Sequence, residues 1–152
     1  SNIGFVQNIT VKELGVNHGS SLSTILLNPF VIDLVGIDNQ PDNFRPYQKL
    51  FSDYAHDEYK NFSFLGIDSL SREAIDIECD ILHIDSLHDF DHLKNELWAH
   101  GPKTHSYILI HDTALYPKQI KAIELFIKDY PKWQIKKVEE RNVGYHVLER
   151  KN

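Results

Sequence analysis

The sequence of 152 residues predicts an α/β fold, namely a doubly wound, mostly parallel sheet of about seven strands that ends in an antiparallel hairpin. Three observations support this prediction. Short apolar segments alternate with segments of helical period, which is typical of successive βαβ units. Four of the predicted strands run directly into an acidic residue. The last two apolar segments, 133–139 and 143–149, flank a polar turn and therefore predict a hairpin.

Five βα units precede the hairpin. Their strands are predicted at 9–16, 32–38, 62–67, 80–85 and 106–110, and their helices at 20–27, 46–56, 71–77, 90–100 and 118–129. Ser20 or Ser21 is expected to cap the first helix, because a hydroxyl can accept a hydrogen bond from a free N–H there. Gly101 and Pro102 are expected to end the fourth helix.

Composition limits the classes of function. Hydrophobic residues make up 41% of the chain and charged residues 25%, which is ordinary for a soluble globular domain. A net charge of -6 disfavours a nucleic-acid partner, because phosphate binding needs a basic face. No apolar run approaches the roughly 18 residues that would span a membrane. Cys79, the single cysteine, is expected to be a buried thiol and fits a reducing, cytoplasmic location.

Residues 1–152 are expected to form a single domain. The chain contains no methionine, which indicates a piece of a longer protein or an altered start. Only about eight residues precede the first predicted strand, so helices that would cover a site from the amino end are either lacking or belong to a segment outside these 152 residues. A second copy of the chain or an additional domain would then close the site.

The carboxyl ends of four predicted strands carry the candidate ligand-binding residues. Asp38, Asp68, Asp85 and Asp112 follow the second, third, fourth and fifth strands. Ligands of open parallel sheets bind at this edge, near the point where the strand order reverses. We therefore expect these four carboxylates to lie along one ligand-binding edge.

A glycine turn joins the first strand to the first helix. Gly15 and Gly19 bracket it, and glycine allows unusual dihedral angles and a close approach to a ligand. Asp38 comes 19 residues after Gly19, where an acid can accept hydrogen bonds from ribose hydroxyls. The turn lacks the second glycine of the G-x-G-x-x-G dinucleotide motif, which disfavours an NAD-dependent oxidoreductase. The simpler alternative is a tight turn without a ligand.

The pattern Glu13-x-Gly15-x-x-x-Gly19 resembles the first motif of the class I S-adenosylmethionine-dependent methyltransferases, which have a Rossmann-like fold. The resemblance implies S-adenosyl-L-methionine as cofactor, with Asp38 at the ribose and Asp68 and Ser69 beside the adenine. Asn17 and His18 either contact the methionine end or only shape the loop. The cofactor-binding residues implied in this way are Glu13, Gly15, Asn17, His18, Gly19, Asp38, Asp68, Ser69 and Asp85.

Two further motifs resemble those of one subgroup of these methyltransferases. Ile84-Asp85-Ser86-Leu87-His88 and the later His111-Asp112 are similar to the IDxxH and HD motifs of small-molecule and sugar O-methyltransferases. This implies methylation of a hydroxyl on a small or sugar-containing acceptor, with Asp85 and His88 as catalytic residues.

The resemblance also implies a metal site. Metal-dependent relatives place ligands at the positions of Asp85, His111 and Asp112, and a divalent cation such as Mg²⁺ lowers the pKa of a bound hydroxyl. His111 departs from the acidic residue of those relatives, so it either favours manganese or another transition metal over magnesium or does not coordinate the metal at all. His88 is then the candidate general base, because imidazole exchanges protons near neutral pH.

Structural alternatives remain for each of these residues. Asp85 could cap the following helix, and His88 could pack against Phe90. His83 is expected to be a hydrogen-bonded core histidine, and the other histidines are expected at the surface: His56, His92, His100, His105 and His146. The competing function is a non-catalytic domain with this fold that serves in binding or assembly.

Overall fold

The computed structural model describes residues 8–152 as one seven-stranded sheet with the strand order β3-β2-β1-β4-β5-β7-β6. The strands are β1 (Ile9–Leu14), β2 (Val31–Ile37), β3 (Asn61–Leu65), β4 (Cys79–Ile84), β5 (Thr104–His111), β6 (Trp133–Glu139) and β7 (Tyr145–Arg150). The helices are α1 (Ser20–Leu27), α2 (Arg45–Asp57), α3 (Arg72–Ile75), α4 (Phe90–His100) and α5 (Lys118–Asp129). Strand β7 is antiparallel to both of its neighbours, and β1 to β5 pair in parallel. The predicted fold class is confirmed.

Strands β2 and β3 follow β1 on one side, and the chain then crosses over so that β4 and β5 lie on the other side of β1. Consecutive strand residues point to opposite faces, so Leu34 and Val35 belong to separate buried clusters. Helices α1 and α2 cover one face through Leu22, Leu26, Phe51 and Ala55. Helices α3, α4 and α5 cover the other through Ala74, Leu93, Leu97, Ala122, Ile123 and Phe126. The sheet is therefore doubly wound, and its switch point lies between β1 and β4.

Helices α4 and α5 and strand β6 begin and end where the sequence predicts. Strand β1 ends at Leu14 instead of 16, because the backbone turns sharply at Gly15. Strand β5 is longer than predicted at both ends, and β7 begins only after the turn at Gly144. Among residues 8–152, no helix combines the length and apolar character that crossing a membrane requires.

The predicted cap of α1 is wrong. The N-cap is Gly19 in a left-handed conformation, and no side chain bonds to the free N–H groups there. The Ser21 hydroxyl instead donates to the carboxylate of Glu13. Helix α4 has an ordinary cap, since Asp89 Oδ1 accepts the His92 N–H at 2.7 Å.

Two histidines predicted at the surface are buried. His100 is 0% exposed because it shares a face of α4 with Leu93 and Leu97. His146 is 5% exposed because it lies on the same face of β7 as Leu148. Cys79 is buried, as predicted.

Candidate functional site

The turn after β1 requires glycine at both predicted positions. Gly15 and Gly19 have φ angles of 84° and 88°, in the left-handed region that favours glycine. A Cβ on Gly15 would overlap the backbone carbonyl of Asp85, so the turn is pressed against the end of β4. A Cβ on Gly19 would lie 2.8 Å from the ring of Phe44. Both glycines therefore have a packing role in addition to any contact with a ligand.

Asp38 holds this turn in place. Its Oδ2 accepts the N–H groups of Val16 at 2.9 Å and Asn17 at 2.8 Å, and its Oδ1 accepts that of Gln40 at 2.8 Å. A carboxylate offers about four lone-pair positions. Three are occupied by backbone donors, which leaves room for about one further donor from a ligand.

A cleft of about 630 Å³ lies at the carboxyl ends of the strands beside the switch point, and we call it the switch-point cleft. This volume is within the range of small-molecule sites. Ile37, Leu70 and Leu87 give it apolar surface. Six of the predicted cofactor-binding residues line it: Gly15, Asn17, Asp38, Asp68, Ser69 and Asp85. Glu13, His18 and Gly19 do not.

Glu13 faces the interior instead. Its carboxylate is fully buried and accepts hydrogen bonds from the Ser21 hydroxyl at 3.0 Å and from His83 Nδ1 at 2.9 Å. His83 is therefore a hydrogen-bonded core histidine, as predicted. Burial opposes its protonation, but the hydrogen bond and charge of Glu13, with Asp85 and Asp112 nearby, raise the pKa of His83 above its ordinary value. The motif acid thus links β1, α1 and β4.

A second cleft of about 420 Å³ lies beside the amino end of α1, and we call it the α1 cleft. Its lining includes His18, Ser20, Ser21 and Thr24, together with Asp85 and His111. Asn17 and Asp85 line both clefts, so the two meet at the end of β4.

Four side chains converge where the clefts meet, and we call them the acid–histidine cluster: Asp85, His88, His111 and Asp112. Ligand atoms of Asp85, His111 and Asp112 all lie within 4.8 Å of one another. His111 Nδ1 is 2.8 Å from Asp112 Oδ1. His88 Nε2 is 2.9 Å from Asp112 Oδ2 and 3.4 Å from Asp85 Oδ1. The predicted catalytic and metal-binding residues are therefore brought together.

Two ring nitrogens of this cluster have no hydrogen-bond partner among the described residues. His88 Nε2 and His111 Nδ1 are buried, and within residues 8–152 neither is in hydrogen-bond geometry despite the short distances. Buried polar atoms in folded proteins almost always have a partner. Together with the two neighbouring carboxylates, these nitrogens make the cluster a candidate site for a cation.

Several supporting residues were not identified from the sequence. The ring of Tyr116 stacks on His88 with centroids 4.5 Å apart and planes 3° from parallel. Gln119 donates to the backbone carbonyls of His111 and Asp112, both at 3.3 Å. Tyr116 lies in the loop before α5, where no motif or periodicity marked it. Gln119 lies on the buried face of α5 with Ile123, a spacing that could have indicated it.

Several solved structures of other proteins share this architecture. The chain superposes on the ribosomal protein L11 methylase of Lactobacillus delbrueckii subsp. bulgaricus with a TM-score of 0.68 and 14% identity, over 98% of this chain and 73% of that one. It superposes on the precorrin-6y C5,15-methyltransferase of Geobacter metallireducens GS-15 with a TM-score of 0.64 and 15% identity, over 95% and 80%. For the O-methyltransferase of Bacillus cereus in complex with SAH, the values are 0.64 and 13%, over 96% and 76%.

The chain has a methyltransferase fold. No protein-family model matches the sequence, and no curated protein does. In the methyltransferase fold, as in other open parallel sheets, ligands bind at the strand ends beside the switch point. Both clefts and the acid–histidine cluster lie at that edge.

Proposed function

We propose that the chain binds S-adenosylmethionine in the switch-point cleft and transfers its methyl group to a hydroxyl of a small acceptor in the α1 cleft. The observation that carries the proposal is the position of Asp85, which lines both clefts and belongs to the acid–histidine cluster. A donor and an acceptor bound in the two clefts would meet beside that cluster.

The switch-point cleft fits the methyl donor in size and chemistry. Its carboxylates, Asp38 and Asp68, can accept hydrogen bonds from ribose hydroxyls and an exocyclic amine. Its apolar side chains, Leu70 and Leu87, offer a surface for a flat base. Neighbours of the same fold include an O-methyltransferase in complex with SAH, which supports this class of ligand.

Asp85, His111 and Asp112 would hold a divalent cation. Their two carboxylates and one imidazole form a mixed oxygen and nitrogen set, which suits manganese or another transition metal better than magnesium. When bound, such a cation lowers the pKa of an acceptor hydroxyl and so makes its oxygen more nucleophilic.

His88 is the proposed base. Its Nε2 lies 2.9 Å from Asp112 Oδ2 and 3.4 Å from Asp85 Oδ1, so a hydroxyl bound beside these two carboxylates would also lie close to the ring. Stacking on Tyr116 fixes the plane of the ring. His88 would take the proton as the oxygen attacks the methyl carbon in line with the departing sulfur, which leaves as the neutral thioether.

The lining of the α1 cleft favours a polar acceptor. Hydroxyl, amide and imidazole groups from Asn17, His18, Ser20 and Thr24 can hydrogen-bond to several hydroxyls of one ligand. This supports a small hydroxylated or sugar-containing molecule. A net charge of -6 makes a nucleic-acid acceptor unfavourable.

Two measurements test the proposal. Isothermal titration calorimetry with S-adenosylhomocysteine should give saturable binding, while NADH gives none. Methyl transfer to a panel of sugars and hydroxylated metabolites in the presence of Mn²⁺ should fall by between about 100-fold and 10,000-fold in His88→Ala.

Absence of S-adenosylhomocysteine binding at millimolar concentration would overturn the cofactor assignment. Binding without transfer to any acceptor, with Asp85→Ala changing neither metal nor cofactor affinity, would favour a non-catalytic binding domain instead.

A further inference from the structure

Glu96 is a buried carboxylate on α4 that takes no part in the proposed reaction. It is 0% exposed and lies on the same helix face as Leu93 and Leu97. An apolar residue is the ordinary occupant of such a position, and Glu is almost never fully buried unless it is paired. The hydrogen-bond partners of Glu96 therefore indicate why this position holds a carboxylate.

Three donors surround the Glu96 carboxylate. Ser69 Oγ donates to Oε1 at 2.7 Å, Ser86 Oγ donates to Oε2 at 2.6 Å, and His92 Nε2 lies 3.0 Å from Oε1. The donors come from three places, namely the loop after β3, the loop after β4 and the first turn of α4. All three residues line the switch-point cleft. Glu96 is thus the shared anchor of one wall of that cleft.

The direction of these hydrogen bonds limits what the wall can recognise. A serine hydroxyl has one proton and two lone pairs. Because Ser69 and Ser86 give their protons to Glu96, their oxygens are left only as acceptors. A carboxylate accepts at both oxygens and so fixes this direction for both serines. An amide in its place would accept at only one end, so the serine that faces its NH2 group could turn its own proton toward a ligand.

We infer that Glu96 is a specificity-determining, positioning residue that makes this wall select a ligand base carrying an amino group over one carrying a carbonyl. The inference rests on the proposed function, with the adenine of the methyl donor beside Asp68 and Ser69 as the family resemblance implies, and therefore next to this wall. An exocyclic amine donates to the acceptor oxygens of Ser69 and Ser86, whereas a carbonyl oxygen in the same place meets lone pairs and leaves polar atoms unpaired.

His92 provides an independent spectroscopic signal for the same contact. The hydrogen bond to Glu96 raises the pKa of His92, burial opposes it, and the charges of Glu96, Asp89 and Asp68 add to the increase. Replacing Glu96 with the isosteric, neutral glutamine should lower the pKa of His92 toward its ordinary value. A purely space-filling role for Glu96 would leave it unchanged.

The experiment compares S-adenosylhomocysteine with S-inosylhomocysteine, its deaminated analogue, by calorimetry on the whole chain. Wild type should bind the adenine ligand at least about tenfold more tightly, and Glu96→Gln should reduce this ratio at least about fivefold. The matched control is Thr10→Val, which removes side-chain hydrogen bonds to Asp80 at the amino end of β1, away from the cleft. It should leave the ratio unchanged.

Ser69→Ala and Ser86→Ala provide a second route if Glu96→Gln does not fold, since each removes one acceptor oxygen and should also reduce the ratio. An unchanged ratio in Glu96→Gln, or in both serine variants, would overturn the inference. Failure of the wild type to bind either ligand would instead overturn the proposed function.

Discussion

At the residue scale, Asp112 combines a strained backbone with a position in the acid–histidine cluster. Its φ angle is 62°, a left-handed value that is uncommon for a residue with a side chain. The conformation turns its carboxylate toward His88 and His111. Such strain persists where the surrounding structure enforces it, often at functional sites.

Asp112→Asn separates the charge of this residue from its shape. Asparagine tolerates the left-handed conformation equally well, so the free energy of unfolding in urea should stay within about 0.5 kcal/mol of wild type. Mn²⁺ affinity, measured by calorimetry, should fall at least about tenfold because a charged ligand is lost. The control is Asp76→Asn, at an exposed helix end, which should change neither quantity. Unchanged Mn²⁺ affinity in Asp112→Asn would contradict the proposed metal site.

The sequence predicted which residues gather at the site better than it predicted what each of them contacts. An apolar run followed by an acidic residue marks the end of a strand in the sequence. Asp85 and Asp112 were therefore expected close together, and the structure places them so. The inward direction of Glu13 and the backbone partners of Asp38 depend on the path of the turn. That path is set by tertiary packing against β4, which the local sequence does not encode.

At the element scale, the turn between β1 and α1 depends on its two glycines to different degrees. At Gly15 an added Cβ meets the backbone of β4, which has nowhere to move. At Gly19 it meets the ring of Phe44, a side chain that can shift. The two positions therefore differ in tolerance although their φ angles are similar.

Gly15→Ala should lower the free energy of unfolding by about 4 kcal/mol, and Gly19→Ala by about 2 kcal/mol. Both variants strain the left-handed backbone, and only the first also separates the turn from β4. Urea denaturation measures both. Equal losses would show that the contact between the turn and β4 contributes little.

Helix α4 was predicted with its observed ends, and Gly101 and Pro102 are strong local signals for its stop. The polar residues on its buried face were not predicted. The spacing of Leu93, Leu97 and His100 already places His100 inward, but composition alone suggested a surface histidine. Burial, followed by the charge of Lys12, lowers the pKa of His100 to about 4.

This shift makes stability depend on pH in a defined window. The unfolded chain takes up a proton on His100 below about pH 6.5, whereas the folded chain does so only near pH 4. The free energy of unfolding should therefore fall by up to about 3 kcal/mol as the pH drops through this range. His100→Gln should lack this loss, and urea denaturation from pH 7 to pH 4 compares the two. His83 and His92 are present in both proteins and contribute equally to the two curves. Parallel curves for wild type and variant would therefore contradict the assignment of this pH dependence to His100.

At the scale of the whole molecule, the doubly wound topology assembles the site. Residues of the site come from Gly15 to Tyr116, and they meet because five parallel strands end at one edge on either side of the switch point. Alternating strand and helix signals were sufficient to predict this topology. The volumes and linings of the two clefts depend on loop conformation and were beyond sequence reasoning.

The most direct test of the central claim is a crystal structure of the chain grown with S-adenosylhomocysteine and Mn²⁺. We expect the ligand in the switch-point cleft, with its amino acid end at the Gly15 turn and its adenine against Ser69 and Ser86. We also expect Mn²⁺ between Asp85 and Asp112, with His111 as a ligand. A structure in which the ligand, supplied at millimolar concentration, is absent from this cleft would contradict the account.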